Sequence, residues 1–597
     1  MTAFTTRPEL TGDHGMVAST HWLASQSGMA VLEAGGNAFD AAVAAGFVLH
    51  VVEPHLNGPG GDMPLLGWSA ARGEPFVVCG QGVSPAAATT EAFTDLGLDR
   101  VPGTGLLPAC VPGSFGAWML LLRDHGTMRL RHVLQYAVGY ARHGFPVLGT
   151  IHATIGRVER MLADHWPTSR DVWLPGGGVP PVGSRLTNPD LADTLERILD
   201  HAEATATGRE EQVEAARACF YEGFVAEAVA DFYAGEAMDV TGTPHRGLLT
   251  YDDLASWRAT EEQPVGLDHH GVRVLKAGPW SQGPALLQQL ALLDGRDLAA
   301  LGPTSADLVH LTVEAAKLAL ADREAWYGDP DHVDVPLADL LSPGYAAERR
   351  RLVDDGRAVT DRLHPGAPGG RAPRLPRVIE GDAPAPSGAG TGEPTVTLDG
   401  ETRGDTCHLD VADRFGNLVS ATPSGGWLQS SPVVPGLGFP ISTRAQMFWV
   451  EPGLPNSVGP RKRPRATLSP SLALRDDGSP YLAFGTPGGD MQDQWQVLFL
   501  VRHLHLGMNL QEAIDAPAWH TTHVPSSFWP RDSEPGRIHV EARLGEATIA
   551  ELRRRGHDVA VQDPWSLGRL SAAGRDRDGT LRAGANPRGM QGYAVGR

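Results

Sequence analysis

The chain has 597 residues, 42% of them hydrophobic and 20% charged, which is enough to bury a large core. Its 50 Lys and Arg stand against 70 Asp and Glu, and the net charge of −20 argues against nucleic acid as a partner, despite one basic run at 461–465. Four scattered cysteines, no secretory signal pattern and no apolar run of membrane-spanning length predict a cytoplasmic protein without a disulfide framework or a membrane partner.

The first 350 residues predict alternating helices and short strands. Between 21 and 62, an amphipathic helix ends at a Gly-Gly pair and is followed by an Ala-rich helix that is apolar nearly all round. Such an all-apolar helix is expected to be buried. Further helices are expected at about 114–124, 131–142, 189–204, 209–233 and 304–325.

The character of the sequence changes from about 354 to 404. This stretch is crowded with Pro, Gly and small residues and lacks apolar periodicity. A segment that buries little surface cannot offset the entropy lost on ordering, so we expect a mobile linker here.

Order is expected to return at Gly404. The segments TCHLDVAD and NLVSATPS flank RFG and predict a β-hairpin. Two strands about a D-D-G turn follow at 466–490, and then an apolar helix, DQWQVLFLVRHLHLG. Shorter helices over 510–516 and 544–555 and terminal strands complete the chain.

Strand alternation divides the first arm of this hairpin into two faces. Cys407, Leu409 and Val411 share an apolar face, which makes Cys407 a core residue rather than a nucleophile. Thr406 lies on the opposite face, where a substrate could sit. By itself, however, a threonine in a strand is more often an ordinary strand residue.

The polar face of the hairpin carries more than one functional group. Thr406 shares it with His408 and Asp410, and the second arm brings Thr422 and Ser424 back across from them. Three hydroxyl groups are therefore expected to gather at one end of a sheet.

A glycine turn, GTPGGD at 485–490, follows a predicted strand and precedes a helix. Such a turn can present backbone N–H groups to an anion. A phosphate site is disfavoured because no Walker lysine follows, which leaves an oxyanion hole or a plain turn. His503 and His505 are two apart on a helix and diverge, so we expect no metal site there.

Several segments together resemble the gamma-glutamyltranspeptidase family of N-terminal-nucleophile hydrolases. They occur in the family's order over most of residues 15–597: MVAST with LEAGGNAFDAAVAA and EPHLNGPGGD, then VPGSFGAW, TCHLDVADRFGNLVSAT, GPRKRP with LSPSL, and GTPGGD. The resemblance implies an α+β fold, a four-layer αββα sandwich. It also implies a proenzyme that cuts itself immediately before a threonine.

Aligned on the H-x-x-V-x-D-x-x-G-N spacing, the family's nucleophile falls on Thr406. The resemblance then places the cut between Asp405 and Thr406, with Thr422 orienting the Thr406 hydroxyl. Gly488 and Gly489 take the oxyanion-hole positions. The free α-amine made by the cut would serve as the base, so no cofactor or metal is implied.

This alignment divides the chain into a large subunit, 1–405, and a small subunit, 406–597. Both belong to one αββα domain. The large subunit would end in the linker, whose flexibility would let the new chain ends separate.

The chain departs from the family where that family binds the glutamyl headgroup. Thr90 stands at the position of an arginine, and Trp449, with Phe448 beside it, stands at that of an aspartate. A zwitterionic headgroup left without opposite charges would lose several kcal/mol of binding. The positions expected to line the substrate pocket are Thr90, Ser424, Gly426, Trp449, Ala466 and Thr467.

The leading hypothesis is therefore a self-processing threonine amidohydrolase or acyltransferase. Its substrate would be a small-molecule amide without a glutamyl headgroup. One alternative is a true gamma-glutamyltransferase or glutathione hydrolase, and another is an uncleaved, non-catalytic scaffold. The sequence leaves a homo-oligomer open.

Overall fold

The structure is a computed structural model that describes residues 4–361, 363–380 and 406–597. Its α-helices are α1 Trp22–Glu33, α2 Ala38–Val52, α3 Thr90–Thr94, α4 Ser114–His125, α5 Leu130–His143, α6 Gly149–Asp164, α7 Pro167–Trp173, α8 Pro189–Thr205, α9 Arg209–Tyr221, α10 Phe224–Tyr233, α11 Tyr251–Ser256, α12 Pro284–Leu293, α13 Ala306–Trp326, α14 Leu337–Leu340, α15 Pro343–Arg350, α16 Arg377–Glu380, α17 Gln492–Leu500, α18 Leu510–Asp515 and α19 Glu546–Arg554.

The strands are short and spread over the whole chain. They are β1 Leu10–Gly12, β2 Gly15–Ser19, β3 Met63–Ser69, β4 Glu74–Gly80, β5 Phe145–Pro146, β6 Arg185–Leu186, β7 Glu236–Met238, β8 Pro244–Arg246, β9 Thr260–Glu262, β10 Val265–His269, β11 Val272–Lys276, β12 Leu409–Asp413, β13 Leu418–Ala421, β14 Ser471–Arg475, β15 Pro480–Gly485, β16 Trp519–Thr521, β17 Arg537–Glu541, β18 Asp558–Gln562, β19 Ser571–Arg575, β20 Leu581–Ala585 and β21 Tyr593–Gly596.

Two stacked antiparallel sheets form the centre of the described chain. The first has the strand order β21-β2-β12-β13-β3-β4-β9 and the second the order β1-β20-β19-β15-β14-β11-β10. Small and apolar side chains such as Leu66, Ala412, Ala483 and Ala573 fill the space between them. This close packing brings β12 directly over β15 and β19.

Helices cover the outer face of each sheet. The Ala-rich α2 is buried along its whole length and packs with α1 and α4 against the first sheet, and α5 packs on α2. On the other side, α12 and α17 pack against the second sheet, and α13 packs on these two helices. The predicted four-layer αββα sandwich is thereby confirmed.

Two predicted helices differ from the structure in detail. The helix expected over 209–233 is broken at Gly223, whose backbone is extended, so that α9 and α10 are separate. The apolar helix after GTPGGD begins as α17 and continues as a π-helical turn, Val501–His505. Hydrophobic periodicity over a long window does not resolve such local breaks.

The first part of the predicted linker makes contacts with the rest of the chain. Polar side chains of α13 bind the backbone of this part at two residues, Val359 and Gly366. Lys317 Nζ donates to the Val359 carbonyl at 2.7 Å, Trp326 Nε1 to that of Gly366 at 3.1 Å, and Asp322 accepts from the Gly366 N–H at 2.7 Å. The rest of the predicted linker, 381–404, lies outside the described residues.

The predicted hairpin is confirmed, with β12 and β13 paired in antiparallel register. Its turn depends on the buried Asp413, which accepts hydrogen bonds of 2.8–2.9 Å from the backbone N–H groups of Phe415, Asn417 and Ala38. Asp413→Ala should therefore lower the free energy of unfolding by about 2–3 kcal/mol. Asp476→Ala in the exposed turn after β14 should cost under about 0.5 kcal/mol, and equal losses in urea unfolding would contradict the expectation.

Candidate active site

Thr406 lies at the entrance to β12, where it is almost fully buried. It forms an antiparallel bridge with Ser424, and the two hydroxyl oxygens are 3.2 Å apart. The backbone of Ser424 in turn exchanges hydrogen bonds of 2.7 and 2.9 Å with Asp62. The hairpin thus fixes Thr406 against a loop from the N-terminal part of the chain.

Cys407 points away from this polar face, as alternation predicts. It is fully buried in the same apolar cluster as Leu409 and Val411. Its thiol lies 2.9 Å from Glu53 Oε2, and burial together with that carboxylate raises the pKa of the thiol well above its usual value. A protonated, enclosed thiol is a poor nucleophile.

A chain of hydrogen bonds runs along the polar face. The Thr422 hydroxyl lies 2.9 Å from His408 Nδ1, and His408 Nε2 lies 3.0 Å from Asp410 Oδ1. Ser571 of β19 donates to Asp410 Oδ2 at 2.7 Å. All four side chains are buried between the two sheets.

The glycine turn reaches the same edge of the sandwich from β15. A Cβ on Gly485 would fall 2.3 Å from the His408 ring, so the imidazole lies directly against the end of that strand. Gly488 follows with a φ of 125°, and a Cβ there would fall 2.2 Å from Trp495. Only glycine fits both the conformation and the space at this position.

Side chains around the turn hold its shape. Gln282 Nε2 donates to the Gly489 carbonyl at 3.0 Å. The Asp490 carboxylate accepts from Arg323 and from the Ser527 N–H at 2.8 Å. A rigid turn of this kind can present N–H groups to a developing oxyanion without reorganisation.

The residues predicted to line a pocket lie in several separate segments. Gly426 and Ser424 pack against the loop around Gly61, and Ala466 bridges Ser281 next to the buried Thr467. Thr90 begins α3 in a half-buried position. The Phe93 side chain of that helix shares an apolar cluster with Phe448, beside Trp449.

One buried ion pair in this region is not foreseen from the sequence. Arg444 Nε lies 2.9 Å from Asp62 Oδ2, which also accepts from Ser442 at 3.0 Å. The guanidinium stands over the rings of Trp427 and Phe528, at 4.8 and 5.9 Å. Burial raises the pKa of Asp62, and the nearby Arg444 opposes that shift.

A second arginine lies at the predicted headgroup position. The Arg531 guanidinium is stacked 3.8 Å above the Trp449 ring and donates to the backbone carbonyls of Gln446 and Phe448. Burial lowers the pKa of Arg531 to about 9. The only sequence signal for it is an arginine far along the chain, in WPRD.

His310, Glu314 and His557 form a candidate metal cluster among the described residues. His310 Nδ1 lies only 2.8 Å from His557 Nε2, and Glu314 accepts from Lys317 at 2.7 Å. Two zinc–nitrogen bonds of about 2.0 Å do not fit between nitrogens at hydrogen-bond distance without a shift. The cluster is therefore a hydrogen-bonded network as it stands.

No helix in the described part of the chain is long and apolar enough to cross a membrane.

The αββα sandwich is the fold of the N-terminal-nucleophile hydrolases. The gamma-glutamyltranspeptidase family model matches residues 24–596, and the chain belongs to that family. The family supports a self-processing amidohydrolase of the transpeptidase and acylase type, and the chain is a hydrolase or acyltransferase of this class.

Relatives of the chain match it over nearly its whole length. It is 32% identical to the oxamate amidohydrolase proenzyme of Klebsiella pneumoniae subsp. pneumoniae (98% of each chain) and 31% identical to the glutathione hydrolase-like YwrD proenzyme of Bacillus subtilis (98% of this chain, 99% of the relative). Among solved structures, cephalosporin acylase from Bacillus halodurans is 30% identical with a TM-score of 0.82, covering 99% of this chain and 97% of its own. LmbA2991HD is 56% identical with a TM-score of 0.93, covering 100% of both chains.

Proposed function

We propose that the chain cuts itself between Asp405 and Thr406 and then acts as a threonine amidohydrolase or acyltransferase. Its substrate is a small-molecule amide whose acyl group has no free glutamyl headgroup. Asp405 lies outside the described residues, so the position of the cut is inferred from the family spacing and the place of Thr406 at the start of the hairpin.

The chemistry needs few groups. Once Thr406 is N-terminal, its α-amine, with a pKa of about 8 in model compounds, takes the hydroxyl proton. The Thr406 oxygen attacks the substrate carbonyl, and the amine leaving group departs with a proton. The N–H groups of Gly488 and Gly489 stabilise the oxyanion, and water or an acceptor amine then resolves the acyl-Thr406 ester.

The observation that carries the substrate proposal is the environment of Trp449. At the family's aspartate position this chain has a buried indole with the Arg531 guanidinium stacked upon it. A substrate ammonium group would meet a cation there instead of a carboxylate. Thr90, at the family's arginine position, offers no charge to a substrate carboxylate.

A matched pair of substrates tests this proposal. γ-Glutamyl anilide and glutaryl anilide differ only by the α-amino group. We expect kcat/KM for the γ-glutamyl compound to be about 100-fold lower or worse, since an unpaired buried ammonium costs about 3 kcal/mol or more. Equal or better turnover of the γ-glutamyl anilide would refute the substrate proposal and support a true gamma-glutamyltransferase.

A further inference from the structure

Self-cleavage needs a base other than the α-amine of Thr406, which serves only the mature enzyme. Before the cut, the nitrogen of Thr406 belongs to a peptide bond, and an amide nitrogen cannot accept the hydroxyl proton. Activation of the Thr406 hydroxyl in the uncut chain therefore depends on other groups near it.

The hydrogen-bond chain on the polar face has one direction in which it can carry a proton away from Thr422. In the neutral tautomer that donates to Asp410, His408 does so through Nε2. His408 Nδ1 then carries a lone pair and accepts the Thr422 hydroxyl proton at 2.9 Å. Ser571 holds the second oxygen of Asp410, which fixes the carboxylate in place.

The hairpin register places these hydrogen-bonded side chains near the proposed nucleophile, Thr406. Leu409 pairs with Ala421 and Thr406 with Ser424, so His408 stands opposite Thr422. Thr406 and Thr422 are then diagonal neighbours on one face, with Cα atoms about 7–8 Å apart. In that tautomer the Thr422 oxygen keeps lone pairs that could accept a proton from Thr406, whose hydroxyl lies 3.2 Å from Ser424 Oγ in the uncut chain.

From this geometry we infer that Asp410, His408 and Thr422 form the proton-accepting relay of self-cleavage. The inference rests on the proposed function, because it takes the cut before Thr406 as given. His408 and Asp410 are positioning residues that act through Thr422. The arrangement resembles a Ser-His-Asp triad, in which a carboxylate orients the histidine.

The proton balance of the step is as follows. As the Thr406 oxygen bonds to the Asp405 carbonyl carbon, its proton passes to Thr422, whose own proton passes to His408 Nδ1. The Asp405–Thr406 C–N bond then breaks, and the proton returns along the relay to the nitrogen, which becomes the α-amine. Water hydrolyses the resulting ester to the Asp405 carboxylate and restores the Thr406 hydroxyl.

Three variants of the full chain test the relay. Thr422→Val keeps the shape but removes the hydroxyl, whereas Thr422→Ser keeps the hydroxyl. Asp410→Asn can donate to His408 Nε2 and so reverse the tautomer. We expect Thr422→Val and Asp410→Asn to slow precursor loss by about 100-fold or more, and Thr422→Ser to rescue cleavage.

Two measurements on each sample separate a relay from a structural role. Precursor loss is followed on denaturing gels, and kcat and KM are measured per cleaved molecule as the slow variants mature. Since the α-amine is the base after the cut, Asp410→Asn should keep KM and lose less than about tenfold in kcat. Equal losses in cleavage and in kcat would overturn the inference.

Fast cleavage would also overturn it, if a folded Thr422→Val or Asp410→Asn chain cut within threefold of the unaltered protein. Should Asp410→Asn fail to fold, the near-isosteric Thr422→Val and Thr422→Ser pair decides the question. The proposed function has its own readout. Intact masses of the unaltered chain that place the cut elsewhere, or nowhere, would refute that proposal.

Discussion

Replacing Thr406 with alanine is expected to leave the chain uncut and without activity. The unaltered 63.5 kDa chain should give two bands of roughly 43 and 20 kDa, in proportion to the lengths on either side of the cut. Thr406→Ala removes both the attacking oxygen of self-cleavage and the acyl carrier of turnover. Loss of a nucleophile lowers kcat by about 10⁶-fold in comparable hydrolases, so turnover should be undetectable.

Cys407→Ala is the matched control for this experiment. It alters the neighbouring residue on the opposite face and removes a buried thiol, at a cost of about 1–2 kcal/mol in stability. Cleavage and kcat should persist. If Cys407→Ala stopped cleavage while Thr406→Ala did not, the alignment of the nucleophile would be wrong. A single full-length band in the unaltered protein after prolonged incubation would instead support a scaffold.

Gly488→Ala is expected to have the second-largest effect. A Cβ there would lie 2.2 Å from Trp495, and a φ of 125° is strained for alanine. The turn must shift, so its N–H groups would leave the position of the oxyanion. We expect kcat to fall by about 10²–10³-fold, the usual effect of losing an oxyanion-hole donor.

Gly478→Ala controls for the backbone strain alone. Gly478 has a φ of 79° with nothing within 4 Å of the added methyl group, in an exposed turn after β14. It should lose about 1 kcal/mol of stability and keep full kcat. A folded Gly488→Ala enzyme with unaltered kcat would show that the glycine turn has no part in oxyanion binding.

The short-range features of the site were predictable from the sequence. Alternation along β12 separates Cys407 from Thr406 because side-chain direction in a strand depends only on position. The four-layer fold followed from segments that resemble the family in the right order. The roles of the site residues, in contrast, stay predictions until the variants are made.

The features that escaped prediction depend on contacts distant in sequence. Arg444 and Asp62 are 382 residues apart, and neither sequence segment predicts the ion pair between them. Arg531 reaches Trp449 from a different part of the chain. Composition predicts a mobile linker from about 354 onward because it records the few apolar residues there but not the polar side chains of α13 that bind the backbone at Val359 and Gly366.

The strand order of the first sheet has a consequence for folding. Strands β12 and β13, from after residue 405, lie between β2 and β3, from before it. Folding of the uncut chain is unimolecular, whereas two separated pieces would have to find each other again. Cleavage of this interleaved sheet would make refolding depend on protein concentration. The cut enzyme would therefore stay folded because it unfolds slowly, and not because it refolds readily. Because a chain must fold before it can cut itself, the fraction of cut chain would also report how many molecules had once folded.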